Sequence, residues 1–110
     1  MANLDKYRIC IENLLKEYDQ LPEDDGIESQ LIFDREHDHY QLNNIGWQAN
    51  TRICGPVLHF DIKNGKILIQ HNGTEFDLAD ELMAMGVPKQ NIVIGFHHPR
   101  QRKYTGFAVD

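Results

Sequence analysis

The chain has 110 residues, 41% of them hydrophobic and 25% charged. That composition fits one globular domain over residues 1–110 with a single core, and it excludes both two separately cored domains and wholesale disorder. Seventeen acidic side chains against 11 basic ones give a net charge of −6, which argues against a free-standing binder of duplex DNA, because the phosphate backbone demands a positive face.

Leu4, Tyr7, Ile11, Leu14, Leu15 and Tyr18 recur at three-and-four spacing and predict an amphipathic helix over Leu4–Tyr18. Asn3 is a candidate N-cap, and Arg8, Glu12, Lys16 and Glu17 are expected to face water. Pro22 sets the boundary at Leu21, since the residue before a proline is pushed out of helical space. Glu23-Asp24-Asp25-Gly26 reads as a solvated acidic turn, without the alternating oxygen ligands of a calcium loop.

Strands follow. Ser29–Asp34 puts Leu31 and Phe33 on one face and Ile32 on the other, and Arg35–Asp38 turns the chain. Tyr40–Trp47 is the second strand. A one-residue bulge near Asn43-Asn44 would bring the out-of-phase Ile45 and Trp47 back to the core. Arg52–Ile62 is the third strand, broken by Gly55-Pro56, where proline marks an edge, a bulge or a strand start. Asn64-Gly65 supplies a type I′ turn that sets Ile62 opposite Ile67, Phe60 opposite Ile69 and Leu58 opposite His71. Thr74–Met85 reads as a helix capped by Thr74, with Asp77 placed as in a capping box; Gly86 ends it and Pro88 follows. Ile92–Phe96 is a continuously apolar last strand, expected in a central position, before a polar and basic tail from His97. Hairpin-grouped strands with segregated helices predict an α+β fold: an antiparallel β-sheet of about five strands with helices packed on one face.

Candidate sites are few. Cys10 and Cys54 both read as buried small apolar residues, and no terminal signal sequence or membrane span is evident, so the expected compartment is the cytoplasm. Ser29 lacks a nucleophile-elbow context, the eight glycines make no phosphate loop, and no catalytic residue can be assigned. Among six histidines, His37 and His39 alternate on an extended segment and His97-His98 are adjacent, but neither has a metal-ligand spacing, so no metal or other cofactor is expected. His71 falls on the predicted apolar face. The opposite face carries His59, Asp61 and Gln70, a candidate polar sheet-face site. Arg100, Arg102 and Lys103, followed by Tyr104, reverse the local charge and form a candidate contact for a partner protein or a nucleic acid.

Four stretches in series carry a resemblance: Gly26-Ile27-Glu28-Ser29-Gln30; Asn44-Ile45-Gly46-Trp47; the hairpin from His59-Phe60-Asp61-Ile62 to Gly73-Thr74-Glu75; and Gly86-Val87-Pro88 through Ile94-Gly95-Phe96 with Arg102-Lys103-Tyr104-Thr105-Gly106-Phe107-Ala108. Together they resemble the XisI-like proteins of cyanobacteria, the fdxN element excision controlling factors. The resemblance spans nearly the whole chain. It implies an accessory factor in a DNA rearrangement of heterocyst differentiation, acting with a site-specific recombinase and a second, nuclease-like excision controlling factor. It supplies no catalytic residue. A non-enzymatic protein that meets DNA only indirectly, through protein partners, agrees with the acidic charge. Pro56 suggests an exposed edge and hence a homodimer. The alternatives are a small-ligand binder or enzyme with an unassigned pocket, and a direct DNA binder through the basic tail.

Overall fold

The computed structural model describes residues 4–19 and 26–109; Asn3, the Leu21–Pro22 boundary and Glu23-Asp24-Asp25 lie outside the described residues. Helix α1 (Leu4–Asp19) leads to strands β1 (Ile27–Asp34), β2 (His39–Gln48), β3 (Thr51–Lys63) and β4 (Lys66–Asn72). Helix α2 (Leu78–Ala84), strand β5 (Ile92–Ile94) and the short helix α3 (Pro99–Arg102) complete the chain. The strands form one sheet in the order β1-β2-β3-β4-β5. The first four are antiparallel neighbours and β5 is parallel to β4. The fold is α+β with a mostly antiparallel sheet.

The core lies between the helices and one sheet face. Tyr40, Leu42, Leu58, Phe60, Ile67 and Ile69 of the sheet pack with Ile11, Leu14 and Leu15 of α1 and Leu78, Ala79 and Leu82 of α2. Full burial of each large aliphatic or aromatic side chain contributes roughly 1.5–3 kcal/mol, so this single layer dominates the stability. Polar contacts orient α1. Glu12 and Arg8 do not face water as their helical positions suggested. Glu12 is buried beneath Arg35, with two bonds of 2.7 Å. Arg8 donates to Asp38 at 2.8 Å and 3.2 Å. Both partners sit in the β1–β2 turn, which drapes over the helix and draws these two charges in.

The Asn64-Gly65 turn forms as expected, with φ of 55° and 74°. Ile62 faces Ile67 and Phe60 faces Ile69. The register beyond differs. Gln70 is an extra residue on β4, so Leu58 meets Asn72, and His71 meets His59 on the outer face. His71 is therefore exposed and leaves the apolar face. A second bulge lies at the level of Leu42 and Asn43, but its extra residue is Val57 on β3. β2 keeps its alternation, so Ile45 and Trp47 stay outside and Trp47 is 55% exposed. The same bulge turns Cys54 outward, where it is exposed; Cys10 is buried. β3 runs unbroken through Gly55-Pro56, beyond the end of β4, where the proline's missing N–H costs no ladder bond on that side.

Helix α2 starts later than Thr74. Asp77 is its cap, accepting from the Asp80 N–H at 3.1 Å, while Thr74 closes a turn with Asn72. Its end is a Schellman motif: Gly86, at φ 99°, donates to the Met83 carbonyl, and Val87 donates to that of Leu82. β5 is terminal in the sheet rather than central. A parallel strand needs a crossover, which α2 provides. β5 is buried nonetheless, because Ala108 bridges Val93 and donates to the Ile92 carbonyl, closing the edge. No helix among the described residues is long and apolar enough to cross a membrane.

Two glycines on the β2–β3 hairpin make opposite demands. At Gly46, φ is 154° and an added Cβ would collide with the Gly26 carbonyl, whereas at Gly55 it would meet nothing within 4 Å. Gly46→Ala is expected to destabilise the fold by about 2 kcal/mol or more, and Gly55→Ala by about 0.5 kcal/mol at most. Urea denaturation checks the difference; equal effects would contradict the close β1–β2 approach.

Candidate functional site

The outer face of the sheet gathers polar residues from three strands. His39 on β2 lies directly opposite Asp61 on β3, and His59 is two residues before Asp61 on the same face. His39 Nδ1 and His59 Nε2 are each 2.8 Å from Asp61 Oδ1. Gln70 Nε2 donates to Asp61 Oδ2 at 3.0 Å. The bulge is what brings Gln70 over Asp61, since Leu68 is the residue paired with Asp61 in the ladder. Gly95 makes room for this amide: a Cβ there would come within 2.5 Å of Gln70 Oε1.

The structure thus joins His59, Asp61 and Gln70, the three residues of the predicted polar-face site, and adds His39. The sequence pattern set His39 with His37 and the nearby Asp34, Glu36 and Asp38. Carrying the apolar match of Tyr40 with Phe60 one residue further would have paired His39 with Asp61. His37 is engaged elsewhere, with Nδ1 2.9 Å from Asp34 Oδ2, although its ring stacks on that of His39 at 6.5 Å between centroids.

Asp61 organises the charge of the cluster. Burial pushes its carboxyl up, but the bonds from His39, Gln70 and His59 outweigh this and hold it below the ordinary value of 3.8. The same bond, made chiefly to Asp61, raises His39 above 6.5. Both shifts favour the ion pair, with the proton on His39 and the negative charge on Asp61; a neutral His39 ring has a nitrogen lone pair to offer a cation beside that carboxylate.

The basic segment is less uniform than its sequence. Arg102 is half-buried, and its guanidinium donates to the carbonyls of His97 at 3.1 Å, Gly95 at 3.2 Å and Val109 at 3.4 Å. It staples the C-terminal segment to the end of β5 and is withdrawn from the predicted contact surface. Arg100, Lys103 and Tyr104 remain exposed, Tyr104 by 80%, with Lys103 Nζ 5.1 Å above the tyrosine ring. His97 packs edge-on to Phe96, and His98 caps α3 by accepting from the Arg100 N–H. Between this segment and α2 lies an open groove of about 590 Å³, lined by Ala79, Ile94, Phe96, Gln101, Tyr104 and Phe107 among others. Phe96 and Tyr104 are large apolar surfaces left open to solvent.

An α+β domain with one helical layer, a closed β5 edge and a polar outer face defines the structural class. The chain belongs to the XisI family, whose model, described as XisI protein, matches residues 1–109. The crystal structure of a XisI-like protein from Anabaena variabilis ATCC 29413 is 45% identical and superposes with a TM-score of 0.94, over 98% of this chain and 100% of that one. The crystal structure of fdxN element excision controlling factor XisI from the same strain is 35% identical, with a TM-score of 0.83 over 97% of this chain and 98% of that one. No curated protein matches the chain.

The coupling of His39 to Asp61 has a pH signature. A raised His39 stabilises the fold below about pH 6.5, and this contribution is lost as pH rises through its native pKa. A lowered Asp61 stabilises it above about pH 3.8, and that contribution is lost as pH falls through its native value. Asp61→Asn is expected to return His39 to its ordinary range or below. NMR titration of the His39 ring reads this directly; an unchanged midpoint would contradict the pairing.

Proposed function

We propose that this protein controls the excision of a DNA element by binding other proteins, with no chemistry of its own on DNA. The observation that carries the reading is the 35% identity, over nearly the full length of both chains, to an fdxN element excision controlling factor. The charge supports it. A net −6 opposes autonomous DNA binding, and with Arg102 committed to backbone carbonyls the tail offers Arg100 and Lys103 as its exposed cations.

The partners are a second, nuclease-like excision controlling factor and a site-specific recombinase, met in the cytoplasm. Their docking site is the groove around Phe96 and Tyr104, an aromatic centre with Arg100 and Lys103 nearby. Aromatic side chains buried on docking, ringed by polar residues, carry most of the affinity in such interfaces. The protein acts as a homodimer. The part of β3 that outruns β4 offers a ladder edge for the symmetric contact.

Co-expression with the second excision controlling factor, followed by affinity capture at physiological salt, tests the reading. The expected result is a stable complex that Phe96→Asp with Tyr104→Asp abolishes, while light scattering of the free protein gives the mass of a dimer. Capture of neither that factor nor a recombinase overturns the docking role, and a salt-sensitive DNA gel shift by the protein alone would replace it with direct DNA binding.

A further inference from the structure

The cluster on the outer face has the donor set of a transition-metal site. His39 Nδ1 or Nε2, His59 Nδ1 or Nε2 and an Asp61 carboxylate oxygen supply ligand atoms that all lie within 4.8 Å of one another. Two of those atoms, His39 Nδ1 and His59 Nε2, converge on the same Asp61 oxygen at 2.8 Å. Zinc holds such ligands at roughly 2.0–2.2 Å, which sets neighbouring ligand atoms of a tetrahedron about 3.3 Å apart. The observed separations, from 2.8 Å for the two histidine–carboxylate contacts to at most 4.8 Å for the set, bracket that value. We propose that His39, His59 and Asp61 bind one divalent transition-metal cation, with zinc as the reference ion and a fourth coordination position open to solvent.

Four features of the structure support this assignment. Two imidazoles with one carboxylate suit zinc and its neighbours, whereas calcium and magnesium call for oxygen ligands throughout. All three ligands stand on paired strands, with His39 opposite Asp61 and His59 beside it on β3, so their positions are fixed by the ladder before any ion arrives. Asp61 is also held from behind. Gln70 bonds Oδ2 and leaves Oδ1 pointing at the two rings, the outer-shell support that metal-binding carboxylates use. Finally, the side chains are accessible enough for an ion to enter, with His39 55%, His59 26% and Asp61 17% exposed.

In the metal-free state, imidazole N–H groups occupy the space between the rings and Oδ1, and the cation takes the place of those protons. This differs from the absence of metal expected from sequence, which weighed His37 with His39; His37 is turned to Asp34 instead. The proposal is independent of the excision-control reading. The open position would accept water or a donor atom from a docked protein.

The test is isothermal titration calorimetry of chelator-stripped protein with zinc chloride, together with visible absorption of the cobalt(II) form. One zinc per chain is expected, with micromolar or tighter affinity and the cobalt bands of a four-coordinate site. His39→Ala, His59→Ala and Asp61→Asn should each weaken zinc binding by about ten-fold or more, and Gln70→Ala by about ten-fold through loss of positioning. His98→Ala should leave it unchanged. His39→Ala is the decisive variant, because that side chain is half exposed and its loss spares the core; circular dichroism confirms the fold. The proposal is overturned by the absence of saturable zinc binding in the parent protein. Binding that survives His39→Ala and Asp61→Asn overturns it equally, since the ion would then sit on other histidines.

Discussion

β3 is paired on both sides from Leu58 to Asp61, with β4 alone at Ile62 and Lys63 and with β2 alone from Thr51 to Pro56. Its register decides which side chains face the helices and which face outward, because a slip of one residue exchanges the two faces. Three devices set that register. The Asn64-Gly65 turn fixes the start of the β3–β4 ladder. The bulge at Gln70 then shifts it by one, and the bulge at Val57 does the same against β2. Leu58, Phe60 and Ile62 consequently stay in the core while His59 and Asp61 meet His39, Gln70 and His71 outside. The apolar layer and the polar cluster are two faces of one alignment, so neither can change without the other.

Much of this was legible in the sequence, and the exceptions share a cause. Helical periodicity located α1, and Asn-Gly located the β3–β4 hairpin with its first two pairs. The alternation of His59 and Asp61 with core residues identified the outer face. Each of these signals is local. The misplaced features depend on where a strand gains a residue, and no side-chain pattern within one strand announces that. Val57 and Gln70 are unremarkable in composition, yet they move Cys54 and His71 to the outer face, while β2, which gains no residue, keeps Ile45 and Trp47 there. The burial of Glu12 is likewise a tertiary effect: its helical position looks solvent-facing until Arg35 arrives from the β1–β2 turn. Thr74 and Asp77 are both good caps by type, and the turn that Thr74 makes with Asn72 leaves the cap to Asp77.

Charge is distributed to match. Arg8 and Arg35 are engaged in holding α1 to the β1–β2 turn, through Asp38 and Glu12 respectively, and Arg102 is engaged with backbone carbonyls at the end of β5. Exposed charges of both signs remain among the described residues, and Arg100 and Lys103 accompany the aromatic patch beside the groove at Phe96 and Tyr104. The polar cluster and this groove lie on different parts of the domain, and the groove's lining includes none of His39, His59, Asp61 or Gln70. A family member built in this way can present a protein-docking surface and a cation-sized polar site separately.

The alignment of β3 is therefore the point at which the account is most exposed. Cross-strand proton contacts measured by NMR report it directly. The account predicts backbone contacts between His59 and His71 and between His39 and Asp61, with Leu58 opposite Asn72. Contacts that place Leu58 opposite His71, the register of an unbulged hairpin, would contradict it and dissolve the polar cluster along with the face it stands on.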